Sequence, residues 1–329
     1  MSIKEIQKIT GYSRSTISRV LSGRAKAFRI ADRTAQTIFE AAEKINYRPN
    51  LIAQSLRLKR TMTIGLIVPD IQNPFFGELG SRLEKLLRQQ GYSTILCNTN
   101  EIPESEEFYL NILFDRRVDG IIITPCQAEE WPSLRQIREE IPVVLLDRIF
   151  MDTDLPWVTS DNVTAAERLT EQLIGNGCKK IAYLGGKLRT YINTVRFKGF
   201  KNVMEKNSLD IDYNLVHFSG YSMSAGEDMM SSMMESGHSF DGIFCVNNLV
   251  FLGAAKLLQS NVDEKNGSLS IGAFDIGSYC GFFHFRLVSA DQDLRKLADS
   301  AADLLLDRIN GRDAKDNHLT LSCSLEKYY

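Results

Sequence analysis

Apolar positions over the first fifty residues recur at helical spacing, whereas beyond Arg60 they fall into short runs separated by amphipathic stretches. Ile3, Ile6 and Ile9 predict a helix that Gly11 can end in a left-handed conformation. Ser13 can cap a second helix whose buried face is Ile17, Val20 and Leu21, with Gly23 closing it. Two short helices joined through a glycine make a helix-turn-helix. A third helix is predicted from about Asp32, a capping candidate, through Ile38, Ala41, Ala42 and Ile45 to near Asn46. In the run Tyr47-Arg48-Pro49-Asn50-Leu51-Ile52-Ala53-Gln54-Ser55-Leu56-Arg57 the proline breaks the preceding helix and can start a short new one, as a hinge would.

After Arg60 strand-like runs are predicted at 63–68, 93–98, 120–124, 143–146, 180–184, 242–246 and 269–274. Helical stretches lie between or after them at 77–90, 104–117, 164–175, 194–207, 225–236, 249–259 and 294–310. Alternating strand and helix predicts an α/β fold of parallel sheets with right-handed crossovers, in two sheets. At 329 residues the chain has room for two or three domains, given roughly 100–200 residues per domain.

Charge divides the chain at the same place. Residues 1–60 carry 13 Lys/Arg against 4 Asp/Glu, and the remainder 26 against 37. Positive charge gathered at one end is the footprint of nucleic-acid binding, because neutralised phosphates release counterions. In a helix-turn-helix the second helix enters the major groove. That aims Arg14, Ser15 and Arg19 at base edges, where arginine suits guanine O6 and N7, and leaves Ser13, Thr16 and Ser18 for phosphates. With 43% hydrophobic and 24% charged residues the composition is that of a soluble globular protein. No apolar run reaches the roughly 20 residues of a membrane span, and no signal-peptide pattern opens the chain, so a cytoplasmic protein with no membrane association is expected. The cysteines Cys97, Cys126, Cys178, Cys245, Cys280 and Cys323 are scattered, without metal-ligand spacing. Neither metal nor cofactor is implied.

Thr16-Ile17-Ser18-Arg19-Val20-Leu21-Ser22-Gly23, Tyr47-Arg48-Pro49-Asn50, Ile64-Gly65-Leu66-Ile67-Val68-Pro69-Asp70 and Asn73-Pro74-Phe75-Phe76 appear in that order. Arg117-Val118-Asp119-Gly120-Ile121-Ile122, Asp147-Arg148 and Phe274-Asp275 follow. Together they resemble the lactose-repressor/galactose-repressor family of bacterial transcription regulators over nearly the whole chain. The resemblance implies a three-helix helix-turn-helix domain at 1–48, a hinge at 49–60, and a two-lobe core of periplasmic-binding-protein type at 61–329. Lobe 1 is expected at about 61–160 plus 291–318, lobe 2 at about 161–290, and a C-terminal segment at 319–329. It also implies that hinge helices of two subunits fold against each other on DNA, with Asn50 and Gln54 among the contacts and Leu56 wedged into the minor groove, a device that trades base unstacking for a bend.

Open α/β sheets bind ligands beyond the carboxyl ends of their strands. Asp70, Phe75, Asp147, Arg148, Asn247, Asn248 and Asp275 sit at or just after such ends, with Asp161 near the lobe crossing and Arg196 early in a helix. The resemblance implies that Arg196 and Asp275 hydrogen-bond an effector, that Asn247 assists, and that Phe75 or Tyr221 packs on its flat face. A guanidinium and a carboxylate suit a polyhydroxylated ligand, since one donates and the other accepts. Two departures from the family pattern stand out: Asn247-Asn248 replaces the common Asn-Asp, and Tyr279-Cys280-Gly281-Phe282-Phe283-His284-Phe285 is unusually aromatic, placed either over the cleft or in a dimer seam.

The function expected is that of a sequence-specific DNA-binding regulator and a repressor, not an enzyme. Its effector is a small molecule, a sugar or sugar derivative, with a purine-like corepressor as the alternative. The partners expected are double-stranded DNA at a pseudo-palindromic operator and a second copy in a homodimer; no leucine heptads follow Tyr328-Tyr329 to join dimers into tetramers. A sugar-binding transport protein shares the core but not the basic helix-turn-helix. A nucleotide-dependent enzyme would rest on Gly185-Gly186 alone, without a phosphate-loop lysine.

Overall fold

The computed structural model describes residues 2–21, 23, 25–47, 60–188, 190–260, 269–312 and 316–328. The chain divides between Thr61 and Met62 into two units. In the first, α1 (Ile3–Thr10), α2 (Arg14–Leu21) and α3 (Asp32–Lys44) close over a core of Ile6, Ile17, Val20, Ile38, Ala41 and Ala42. Gly11, at φ 72°, ends α1 and donates its N–H to the Gln7 carbonyl at 2.9 Å. Ile9 departs from the predicted face and is 55% exposed, because each three-residue step falls about 60° short of a full turn and the stripe drifts. Asp32 is not the cap of α3 but its first residue, Ala31 holding the cap position; its charge instead suits the positive end of the helix dipole. Arg48, Asn50, Gln54 and Leu56 of the expected hinge lie outside the described residues.

The second unit is built on two six-stranded sheets. One contains β1 (Thr63–Val68), β2 (Ser93–Asn98), β3 (Gly120–Ile123), β4 (Val143–Leu146), β5 (Trp157–Ser160) and β11 (His318–Leu321), ordered β11-β5-β4-β3-β1-β2. The other contains β6 (Ile181–Gly185), β7 (Val216–Phe218), β8 (Gly242–Cys245), β9 (Ser270–Phe274), β10 (Arg286–Asp291) and β12 (Ser324–Tyr328), ordered β12-β10-β9-β8-β6-β7. The two orders match position by position, β1 with β6 and β4 with β9. All neighbours are parallel except β12, which runs antiparallel to β10. Helices cover both faces of each sheet, as parallel strands require: Pro74–Gln89 and Leu294–Ile309 against Pro103–Asp115 and Pro132–Glu140 in one lobe, Met223–Glu235 and Asn248–Ser260 against Asn162–Gly175 and Tyr191–Lys206 in the other.

The chain passes between the sheets at Ser160–Asn162, between Asp291 and Leu294, and again between Leu321 and Ser324. The last passage splits the expected C-terminal segment, sending β11 to one lobe and β12 to the other. Strands β5, β7, β10, β11 and β12 and the helix Pro132–Glu140 were not predicted. The edge strands β7, β11 and β12 carry half-exposed or alternating side chains and so lack the continuous apolar run of a buried parallel strand.

Two helices of the second lobe touch backbone to backbone. A Cβ at Gly253 would lie 2.0 Å from the Met223 carbonyl oxygen, and one at Gly226 2.3 Å from that of Val250. Neither obstacle is a flexible side-chain tip, so Gly253→Ala is expected to lower stability by about 2–3 kcal/mol. Gly175→Ala, with its nearest atom at 3.8 Å, should instead be neutral or stabilising by up to about 1 kcal/mol. Urea unfolding of both variants checks the contrast.

Candidate functional site

Strands β4 and β9 hold equivalent places in the two sheets, and each ends in an aspartate with a left-handed backbone: Asp147 at φ 65° and Asp275 at φ 59°. The short polar side chain tolerates that region better than most. Each N–H still continues its ladder, Asp147 to the Val158 carbonyl at 2.8 Å and Asp275 to that of Ala290 at 3.2 Å, while the turn aims the carboxyl group into the space between the lobes. Both are buried, and burial pushes both carboxyls up, Asp275 to about 6, against the opposing pull of Arg196 on each and of Arg148 on Asp147. Gln292 holds Asp275 through its backbone N–H and its side-chain amide, each at 2.9 Å.

Arg196 lies 2% exposed on the helix Tyr191–Lys206. Its Nε donates to Asn162 Oδ1 at 2.9 Å, its Nη1 to the Val246 carbonyl at 2.6 Å, and its guanidinium carbon stands 3.5 Å from the Phe274 ring centroid. Arg148 follows Asp147 and is 4% exposed. Both Nη atoms donate to Glu101, at 3.0 and 2.7 Å, and the guanidinium lies 4.5 Å from the Tyr221 ring and 5.7 Å from that of Phe76. Contacts that cross the cleft include Arg148 on Tyr221, Asn248 Nδ2 to Asn73 Oδ1 at 2.9 Å, and Lys187 Nζ to the Glu101 carbonyl at 2.5 Å. Among the described residues Asn73, Phe75, Phe76, Asp147, Arg148 and Ile192 line the cavity together with Arg196, Tyr221, Asn247, Asn248, Asp275 and Gln292. Its free volume is only about 20 Å³, room for roughly one water. Asp147 Oδ1, Arg148 Nε and Gln292 Oε1 are buried without a hydrogen-bond partner.

In the first unit the Ser13 hydroxyl accepts the Thr16 N–H at 3.1 Å and caps α2, and it also bonds the hydroxyls of Ser15 and Thr16 at 2.7 and 2.9 Å. Ser13, Arg14, Ser15 and Arg19 are exposed, and Thr16 and Ser18 half-buried. Arg14 Nε donates to Gln7 Oε1 on α1 at 3.2 Å, and the Arg19 guanidinium stands 4.1 Å over the Phe28 ring. Both arginines thus lie on the exposed side of α2, each in contact with a neighbouring side chain of the same unit.

Residues 2–50 match the model of bacterial regulatory proteins of the lacI family, and residues 61–326 match that of periplasmic binding proteins and the sugar binding domain of the LacI family. The chain belongs to the LacI family. This LacI-family chain is thus a DNA-binding transcription regulator with an effector-binding core, and the family is one of regulators rather than enzymes. It is 30% identical over 308 residues to the ribose operon repressor of Halalkalibacterium halodurans, covering 94% of this chain and 90% of that one. It is 28% identical over 311 residues to the HTH-type transcriptional repressor PurR of Histophilus somni, covering 94% and 92%. The solved LacI transcriptional regulator from Alkaliphilus metalliredigens QYMF, complexed with D-xylulofuranose, matches with a TM-score of 0.70 and 27% identity, over 81% of this chain and 98% of that one.

Of the ten cleft residues singled out from the sequence, the regulator's structure brings eight to the cavity wall: Phe75, Asp147, Arg148, Arg196, Tyr221, Asn247, Asn248 and Asp275. Asp70 and Asp161 stand elsewhere. Asp70 turns the chain by accepting the Gln72 N–H at 2.9 Å, and Asp161 caps the helix Asn162–Gly175 by accepting the Thr164 N–H at 3.2 Å. Asn247 is spent structurally, its amide donating to the Tyr221 carbonyl and its oxygen accepting the Val250 N–H, both at 2.9 Å. The face of Tyr221 expected to take a ligand carries Arg148. Asn248 explains its departure from the family: its amide gives a hydrogen to Asn73 Oδ1, which an ionised aspartate could not do. The aromatic run near residue 280 is absent from the cavity wall; Phe283 packs edge-on against Phe251, ring centroids 5.0 Å apart, and Phe282 is 75% exposed. Asn73, Phe76, Ile192 and Gln292 were missed. Gln292 follows a strand the pattern did not predict, and the helix-cap signal of Asn73 before Pro74 was legible.

The raised carboxyl of Asp275 gives a pH test. Between pH 3.8 and about 6 the folded chain holds this proton and the unfolded chain does not. The stability it contributes is therefore complete below the lower value and lost as pH rises through the upper one. Wild type measured against Asp275→Asn should lose about 1–2 kcal/mol of relative stability from pH 4.5 to 8, read by urea unfolding at each pH. A difference that does not change with pH would refute the burial of this charge.

Proposed function

We propose that this chain is a cytoplasmic, homodimeric repressor whose operator affinity is controlled by a sugar or sugar derivative bound between the two lobes. The observation that carries the reading is the joining, in one chain, of a basic helix-turn-helix presenting Arg14 and Arg19 to a cleft where Asp147, Asp275, Arg148 and Arg196 converge. Ser15 faces the bases with the two arginines, Ser13, Thr16 and Ser18 position the helix on phosphates, and Asn50, Gln54 and Leu56 of the hinge add the minor-groove contact that bends the site. The carboxylates accept ligand hydroxyls, and the free guanidinium hydrogens of Arg196 donate to ligand oxygens. The ribose operon repressor and the D-xylulofuranose complex among its relatives support a sugar. Two recognition helices about one helical turn apart favour a dimer on a pseudo-palindromic operator. A sugar-sized ligand needs more than the present cavity, so it enters as the lobes part and Arg148 leaves Tyr221. That movement is the event transmitted to the hinge.

Thermal unfolding of the full chain against sugars, sugar phosphates and nucleobases tests the effector, a ligand at ~100 times its dissociation constant adding about 2.7 kcal/mol. Arg196→Ala should abolish the effect of the stabilising compound on DNA affinity while basal, salt-dependent operator binding persists. Arg14→Ala or Arg19→Ala should lose about 1–3 kcal/mol of discrimination at one guanine of each half-site, measured by fluorescence anisotropy on selected and substituted operators. An unchanged effector response in Arg196→Ala sinks the cleft assignment and leaves the DNA assignment standing.

A further inference from the structure

Beside the cleft, Asn100 and Glu101 form a loop with two consecutive left-handed residues that are not glycine, at φ 53° and 58°. Such backbone persists where its surroundings hold it, and here they do. The Thr99 N–H bonds the Val68 carbonyl and the Glu101 N–H that of Pro69, both at 2.9 Å, while Asn98 Nδ2 bonds Asn100 Oδ1 at 2.7 Å. The result is that the Glu101 carboxylate meets the two Nη atoms of Arg148 in a fork, and its carbonyl receives Lys187 from the opposite lobe. A guanidinium fork between two aromatic rings, nine-tenths buried, is the geometry that elsewhere takes the phosphate or carboxylate of a ligand.

We propose that Glu101 is a built-in anion that fills the fork of Arg148 and so makes the cleft selective for uncharged ligands over phosphorylated or carboxylated ones. This deepens the reading of the cleft as the effector site and rests on it. The pairing supports it: both Nη atoms of Arg148 are already engaged by the Glu101 carboxylate, at 3.0 and 2.7 Å. A ligand phosphate would have to displace that carboxylate or lie beside it unpaired, and a buried charge without a partner is costly. A neutral polyol instead meets the groups left over, the acceptors Asp147 Oδ1 and Gln292 Oε1 and the donor Arg148 Nε. Lys187 reaches the Glu101 carbonyl from the other lobe, whereas the filled fork itself lies within one lobe.

The test needs no knowledge of the effector. Full-length wild type, Glu101→Gln, Arg148→Met and Glu101→Gln with Arg148→Met are titrated calorimetrically with inorganic phosphate at constant ionic strength set by chloride, after thermal scans establish that each is folded. Phosphate is expected to bind Glu101→Gln at least tenfold more tightly than wild type, and the gain should vanish in the double variant. Glu101→Ser serves as a second opening of the fork should the glutamine variant misfold or keep Arg148 engaged. The proposal is overturned if folded Glu101→Gln and Glu101→Ser take phosphate no better than wild type. It is equally overturned if wild type itself binds phosphate in a manner that Arg148→Met abolishes, a result open even when neither Glu101 variant folds. Operator binding by the same proteins reports on the regulator assignment separately.

Discussion

Buried charge is the constraint around which the two lobes are arranged. Asp147 belongs to one lobe and Asp275 to the other, and neither carboxylate could remain ionised away from water without a cation fixed nearby. Arg148 supplies that cation beside Asp147, and Arg196 supplies it beside Asp275 and pulls on Asp147 across the cleft as well. The Arg196 guanidinium is held in turn by Asn162, at the start of the helix that follows the first passage between lobes, and by the carbonyl of Val246. Moving one lobe against the other therefore alters the environment of a buried charge. A polar ligand that inserts between the same groups changes the balance directly.

The equivalence of the two sheets explains how such a site arises. Strands β4 and β9 occupy matching positions, and a left-handed residue at the end of each turns a carboxyl group inward. Aspartate serves both needs, tolerance of the backbone and presentation of charge. What breaks the symmetry decides the chemistry. Arg148 follows Asp147, whereas Ile276 follows Asp275, and Gln292 clasps Asp275 with both its backbone N–H and its side-chain amide. The first carboxylate keeps an oxygen without a partner and the second has both engaged, so the two lobes offer a ligand different things.

How much of this could be read beforehand depended on the signal. Continuous apolar runs such as those of β1, β4 and β9 announced buried parallel strands, and the carboxylates immediately after them inherited their place from the sheet. The edge strands β7, β11 and β12 gave no such signal, and with the interior strand β10 also unpredicted its neighbour Gln292 went unnoticed. Asp70 and Asp161 show the limit of the strand-end argument: the same residue type that binds ligands at strand ends also makes turns and caps helices, and only the hydrogen bond tells which. Glu101 was illegible for another reason. Its role depends on a strained loop and on partners 47 and 86 residues away in sequence, and nothing local encodes that meeting.

The scale of the bonds across the cleft bears on how a regulator of this kind can switch. Lys187 to Glu101, Asn248 to Asn73 and Arg148 on Tyr221 are a few interactions, and each hydrogen bond contributes a net ~1 kcal/mol, rising to about 3 where a charge takes part. Their sum is comparable with the about 5.5 kcal/mol of differential affinity needed to carry a two-state equilibrium from 1:99 to 99:1. A ligand that replaces these bonds with equal ones would shift nothing, however tightly it bound. The effector must therefore make contacts in one lobe arrangement that the protein's own side chains cannot reproduce in it. Asp147 Oδ1, Arg148 Nε and Gln292 Oε1, left without partners when the lobes are together, are where such contacts remain to be made.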